Sequence, residues 1–415
     1  MRRCLGCMED YGDDRVICPL CGYNQKTPVK ESFCLSPGTI LKKRYIVGRL
    51  ISYDNFEAVY IACDALTERK ALIREYLPQF FCNRAPDVLN VSVFEDNLDD
   101  RFEEGLMLFL DEAEQLVRFN SLECIPTIID SFHANNTGYI ITDYFSATSV
   151  RTILQNEYVL SYKQAFDITM RVLSTLKATH SANIVHCNIS PDNVVITDDG
   201  EVRLLAFGKA RLALLDRMRP ESSMTPGYSA PEQYIGQGEP DPQSDVYATA
   251  AVFYYMITGI SPPDALARKK NDTLRIPSKA GASLPKSVEF VIMNALILNN
   301  KGRIKSADEF EAALLSAENR NKKQMPTWAK AGIICLGVLV LAGIALLLIN
   351  IMTPDNPEEP PIVSDSGDFV DLAPDETAPT QTPTGTQTSL TSSSDTESSS
   401  PPVKTGTETS LESGQ

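Results

Sequence analysis

The sequence predicts an α+β chain: a two-lobed domain headed by a small metal-held segment and followed by one membrane-spanning helix and a disordered tail. Three observations lead there. Four cysteines stand as two close pairs within the first 21 residues, strand-like alternation over residues 45–74 gives way to helical periodicity from Arg101, and residues 331–351 carry no charge. At 415 residues and 43% apolar content, the chain is long enough for one large domain with appendages. Its net charge of −16 is uneven: residues 353–415 hold twelve acidic residues and one Lys, a net of −11, which leaves −5 for residues 1–352. No basic patch dominates the folded part, which argues against nucleic acid as a partner.

Residues 1–26 come first. Cys4 and Cys7 are two residues apart, and Cys18 and Cys21 repeat that spacing ten residues later, with Gly22 after the second pair. Two tight turns bearing four thiolates suit tetrahedral zinc; the alternative is a set of unrelated buried thiols or a redox pair. The segment resembles a small zinc ribbon whose closed site is structural, since about 25 residues bury too little apolar surface to fold without the metal. Cys34, Cys63, Cys82, Cys124, Cys187 and Cys335 are scattered singly, as reduced thiols are, and no apolar run marks a secretory signal at the N-terminus.

A linker over residues 27–43, with Pro28 and Pro37, leads to YIVGRLISYDNFEAVYIACD and ALIREYLP, which alternate as strands do. RFEEGLMLFLDEAEQLVRF then sets Leu106, Phe109, Leu110, Ala113, Leu116 and Val117 at helical spacing. TGYIITDYFSATSV reads as another strand, and Ser161 caps a helix running to about Asn183, with Ala165, Ile168, Val172 and Leu176 on one face. Next come IVHCNISPDNVVITDDGEVRLLAFG over residues 184–208, TPGYSAPEQY ending the following loop, SDVYATAAVFYYMITG, and KGRIKSADEF.

In this order and at these distances, the stretches resemble a eukaryotic-type protein kinase over residues 44–316, with a small lobe at 44–142 and a large lobe at 146–316. Among such proteins the chain is similar to the membrane-anchored serine/threonine kinase-like proteins of Gram-positive bacteria. The resemblance implies a phosphate-covering turn at Ser52, Asp54 and Glu57, where the family has glycines. It also implies a phosphate-binding cation at Arg74 in place of Lys, and Leu72 in place of a small residue beneath the adenine. Glu112 matches the helix carboxylate that pairs with that cation; read without the family, it is a solvated helix charge.

The two acids on which transfer depends are replaced. Asn188 stands where an Asp would receive the substrate proton, and Ala206 where an Asp would hold magnesium. An amide has no useful basicity near neutral pH, and a methyl offers no oxygen to a hard cation. Asp54 and Glu57 are expected to repel a triphosphate, and Leu72 to fill part of the base pocket. The scaffold positions are retained: His186, Asn193, Phe207, Gly208, Glu232, Asp245 and Arg303, the last expected to pair with Glu232. Cys187 replaces the Arg that grips a phosphorylated loop, so Ser222, Ser223 and Thr225 are read as ordinary loop hydroxyls.

Residues 331–351 are long enough to span a bilayer, with Arg320, Lys322, Lys323, Lys330 and Trp328 before them and Asp355, Glu358 and Glu359 after. The positive flank, residues 317–330, places the ribbon and the kinase-like domain in the cytoplasm. The Ser/Thr/Pro-rich tail at 352–415 then lies outside the cell membrane and disordered. The expectation is a pseudokinase with structural zinc, without ATP or magnesium, acting as a scaffold or regulator through contacts with cytoplasmic protein partners, an active kinase among the candidates. One rival is a kinase of weak or altered chemistry, with Asn193 and Asp192, Asp198 or Asp199 rescuing metal binding. The other is a membrane-tethered adaptor whose ribbon carries the function.

Overall fold

A computed structural model of the chain describes residues 1–27, 31–94, 99–157, 159–208, 224–235 and 241–323. At the N-terminus, β1 (Arg2–Arg3) pairs antiparallel with β2 (Asp10–Tyr11). The ribbon's own core is Cys4, Tyr11 and Cys18, with Cys7 and Tyr23 packed around them. Next come β3 (Ile40–Leu41), β4 (Tyr45–Tyr53), β5 (Glu57–Asp64) and β6 (Arg69–Tyr76). A small hairpin of β7 (Cys82–Asn83) and β8 (Ser92–Val93) precedes α1 (Asp99–Leu116), and β9 (Ile128–Ala134) and β10 (Thr137–Asp143) follow. The strands form one antiparallel sheet of order β3-β4-β5-β6-β10-β9.

Strand period explains what this lobe buries. In β6, Ala71 and Ile73 point inward with every second residue, and Tyr45, Tyr60, Tyr76, Phe109 and Tyr139 complete the core beneath α1. The segment read as a linker is corrected in part: Cys34, Leu35 and Leu41 are buried in this same core, Leu41 through β3 as an edge strand and Leu35 with its amide donating to the Tyr60 hydroxyl at 3.1 Å. A charged pair is buried with them. Arg84 is joined to Glu75, and Glu75 Oε2 also accepts from the Tyr60 hydroxyl at 2.8 Å.

The second lobe starts with β11 (Ala147–Ser149), α2 (Val150–Glu157) and α3 (Tyr162–Ser181). Ser161 caps α3 through a reciprocal box: its side chain accepts from the Gln164 amide, and the Gln164 side chain accepts from the Ser161 amide. Next, β12 (Val194–Thr197) and β13 (Val202–Leu204) pair with β11 in a three-stranded sheet. The helices α4 (Pro242–Thr258), α5 (Ala265–Lys270), α6 (Lys286–Ala295) and α7 (Ala307–Lys323) complete the lobe. From Ser244 to Thr258 every residue of α4 is buried, as befits a helix apolar on most faces with others packed around it.

No helix among the described residues is long and apolar enough to cross a membrane. The apolar run at 331–351, the tail, and Ser222 and Ser223 lie outside the described residues.

Candidate functional site in the cleft between the lobes

The two lobes enclose a cleft of about 710 Å³. Ile51, Val59, Leu72, Ile128, Val195 and Leu204 give it apolar walls, and Asp54, Glu57, Arg74, Asn188, Asn193 and Ala206 face its polar end. Leu72 lines the cleft without closing it.

The turn between β4 and β5 corrects the reading of Asp54 and Glu57 as carboxylates set against a phosphate. Asp54 Oδ1 accepts from the amides of Phe56 at 2.7 Å and Glu57 at 2.9 Å, so the turn's own backbone donors are bound to its own side chain. Glu57 crosses to β6, where its Oε2 lies 2.9 Å from Arg74 Nε and 2.8 Å from Nη2. The β5–β6 register explains this contact. Val59 stands opposite Arg74, which sets Glu57 two residues along on the same face. Arg74 Nη1 is also 3.8 Å from Glu112 Oε1 on α1. Burial works against the charged guanidinium, yet the two carboxylates outweigh it and raise its pKa. Arg74 is therefore neutralised from within the chain.

On the opposite wall, Asp245 of α4 holds the loop after α3, accepting from the amides of His186 at 2.7 Å and Cys187 at 2.8 Å. His186 Nδ1 accepts from the Asn188 amide at 3.2 Å, and its ring lies 4.2 Å from that of Phe207, centroid to centroid. Burial lowers the His186 pKa to about 4, against the pull of Asp245. Asn188 is a donor here. Its Nδ2 donates to Ala206 O at 3.0 Å, while Asn193 Nδ2 donates to Asn188 O at 2.8 Å. Ala206 holds φ +56°, a left-handed conformation costly for an L side chain. A Cβ on Gly208 would stand 2.8 Å from Asn188 Cβ, so only glycine lets the two loops approach this closely.

The remaining candidate acids do not refill the emptied positions. Among the described residues, Asp54, Glu57 and Asp192 are the carboxylates lining the cleft, and Asp192 is held by Arg151 at 2.7 Å. Asp198 and Asp199 sit in the β12–β13 turn. Farther out, Glu232 and Arg303 meet at 2.6 and 3.2 Å, with Ser244 Oγ donating to the same carboxylate.

At the ribbon, the four cysteine sulfurs lie within 4.8 Å of one another. Cys4 and Cys21 are 3.6 Å apart and Cys7 and Cys18 are 3.9 Å apart, near the edge of about 3.8 Å that a tetrahedron with 2.3 Å zinc–sulfur bonds has. The Gly6 amide points at Cys4 Sγ from 3.2 Å. Four converging thiols with an amide donor fit a metal that binds thiolates. Sequence reasoning did not find where the ribbon docks. Arg49 of β4 donates its amide to Leu5 O at 2.7 Å and its Nε to Gly6 O at 2.8 Å, and Met8 packs on Ile61 and Cys63 of β5.

An antiparallel sheet with one helix packed on it, joined by a short link to a helical lobe across a lined cleft, is the architecture of a protein kinase. A model of the protein kinase domain family matches residues 94–311, more than half of the chain, and the chain belongs to that family. It is related to bacterial serine/threonine kinases. It is 26% identical over 307 residues to the probable serine/threonine-protein kinase PknB of Bifidobacterium longum, an alignment covering 68% of this chain and 41% of that protein. With PknB of Mycobacterium tuberculosis it shares 24% over 302 residues, covering 69% and 45%. The chain thus spans under half the length of these relatives. Among solved structures, the apo form of PpkA-294 superposes with a TM-score of 0.61 at 26% identity, covering 68% of this chain and 100% of that one.

Proposed function

We propose that the chain is a catalytically inactive member of this family, a membrane-anchored scaffold or regulator that works through protein–protein contacts. The observation that carries the reading is the self-liganded cleft. Asp54 occupies the turn amides, Glu57 occupies Arg74, and Asn188 and Ala206 are joined to each other where two carboxylates are needed. Nucleotide and magnesium do not fit these residues well: a triphosphate would have to displace two internal carboxylates, and a divalent ion would find a neutral amide and a methyl where two carboxylates are needed. Cys4, Cys7, Cys18 and Cys21 would hold one zinc ion, which supplies a crosslink and no chemistry. The apolar run at 331–351 with its basic flank supports a single span with both ribbon and lobes in the cytoplasm. The partner is then a cytoplasmic protein, an active kinase of the same class among the candidates.

The openness of the cleft favours a second reading, a kinase of weak or altered chemistry, since about 710 Å³ remains for a ligand beside Asn193. Melting of the detergent-purified full chain with ATP and magnesium or manganese, followed by a phosphotransfer assay, separates the two. A ligand at about 100 times its Kd stabilises by about 2.7 kcal/mol, a readily measured shift. No shift and no transfer are expected; transfer that depends on ATP and a divalent ion overturns the proposal.

A further inference from the structure

The ribbon touches β4 and β5 through its metal-binding turn. Leu5 and Gly6, whose carbonyls accept both Arg49 bonds, lie between Cys4 and Cys7. Their positions are therefore set by whatever holds the four sulfurs together. The rest of the contact is small: Met8 and Leu5 on Ile46, Ile61 and Cys63, Arg3 Nη1 at 2.6 Å from Cys63 Sγ, and Glu9 with Lys70 at 2.5 Å. The receiving strand is cut to fit. A Cβ on Gly48 would lie 2.2 Å from Met8 Cε, 2.6 Å from Leu5 O and 2.7 Å from Ile61 Cγ2, so a larger residue crowds the seam between ribbon and lobe. Here too the pairing of β4 with β5 breaks register, between Val47 and Leu50, which frees the Arg49 amide for Leu5. The same strand then enters the turn that carries Asp54 and Glu57.

We propose that the ribbon is a zinc-dependent latch on the small lobe. With metal, the Cys4–Cys7 turn presents its two carbonyls to Arg49, holds the strand leading into the cleft, and covers Ile46, Ile61 and Cys63. Without metal, the ribbon's own core of three buried side chains cannot keep that turn in shape, so the ribbon releases. The lobe then stays folded and uncovers an apolar face on β4 and β5. The cores support this separation: Cys63 belongs to the ribbon contact, whereas Cys34 and Cys82 belong to the main small-lobe core.

The latch rests on the zinc reading of the four cysteines, and its test separates the two. Zinc content of the detergent-purified full chain is measured first, under reducing conditions. Chelator-treated and zinc-loaded protein is then pulsed with N-ethylmaleimide, and labelling of Cys63, Cys34 and Cys82 is read by peptide mass spectrometry. Zinc removal is expected to raise Cys63 labelling by about tenfold or more, with Cys34 and Cys82 still protected, as for a local opening. Gly48→Val is expected to expose Cys63 while zinc stays bound. Cys63 protected in the metal-free chain overturns the latch whatever Gly48→Val shows, as does joint labelling of all three thiols, which means the lobe unfolds as a whole. A chain that takes up no zinc overturns the metal reading and with it the zinc dependence, whatever Gly48→Val does.

Discussion

Replacing Glu57 by Ala tests the self-liganded cleft directly. Arg74 and Glu57 have side chains only 13% and 7% exposed, so their pairing is little weakened by solvent. Removing one partner of a buried pair costs about 3–5 kcal/mol because a buried charge is left uncompensated. The low end applies here, since Glu112 already lies 3.8 Å from Arg74 and keeps part of the compensation. About 3 kcal/mol lowers the melting temperature of a domain this size by about 6–12 °C. The freed guanidinium then faces the cleft as an anion site. Pyrophosphate without metal, at about 100 times its Kd, should return about 2.7 kcal/mol to the variant and nothing to the parent chain. Scanning calorimetry with and without pyrophosphate measures both effects, and Glu57→Gln, which keeps an acceptor and loses the charge, should fall between them. A Glu57→Ala chain that melts with the parent, or stays indifferent to pyrophosphate, would refute the idea that Glu57 occupies the phosphate-binding charge.

Three further outcomes follow from neighbouring contacts. Asn188→Asp removes the donor to Ala206 O and sets a carboxylate against that carbonyl, so the urea midpoint should fall by the equivalent of about 1–3 kcal/mol. It should restore no phosphotransfer, because Ala206 still offers no oxygen. Arg303→Ala leaves Glu232 with only the Ser244 hydroxyl and takes the side-chain donors from the carbonyls of Ile297 and Leu298, for about 3–5 kcal/mol by denaturant titration. Arg303→Lys should rescue little, since one ammonium cannot reproduce the fork. His186 has a folded pKa of about 4 against about 6.5 unfolded, so as pH falls below 6.5 the unfolded chain takes the proton first. The loss amounts to about 3 kcal/mol by pH 4 and then levels off. The difference in urea midpoint between parent and His186→Leu, followed from pH 7 to 4, should shrink accordingly.

What could be read without coordinates were features whose physics is local or carried by a spaced motif. Ser161 ahead of an apolar-periodic run marks a helix start, and two CxxC turns announce four converging thiols before any fold is known. Glu57 was misread because a carboxylate at a motif position states its charge and not its neighbour. Only the β5–β6 register brings it against Arg74. Asp54 was misread for a related reason, since an Asx-type bond to the turn's own amides competes with any ligand. The linker lost part of its status because Leu35 and Leu41 look like isolated apolar residues until Leu35 meets Tyr60 and β3 pairs with β4. The ribbon's docking depends on one glycine, Gly48, whose meaning is the close approach of another chain segment.

The internal ligands also explain how the cleft keeps its shape with an amide and a methyl at the positions of two carboxylates. In a kinase with bound nucleotide, phosphate and metal offset the charge of the third-strand cation and order the turn above it. A chain that drops both must supply other partners or leave a buried guanidinium and open amides, each at a cost of kcal/mol. Here the partners come from the positions where glycines were lost: Asp54 for the amides, Glu57 for Arg74. Across the cleft, Asn188 donates to the Ala206 carbonyl, a bond an ionised Asp cannot make. The departures from the catalytic pattern thus form a mutually satisfied set. Such a set balances the polar groups on each wall of the cleft from within the chain, so neither wall needs a bound phosphate or metal to offset its charges.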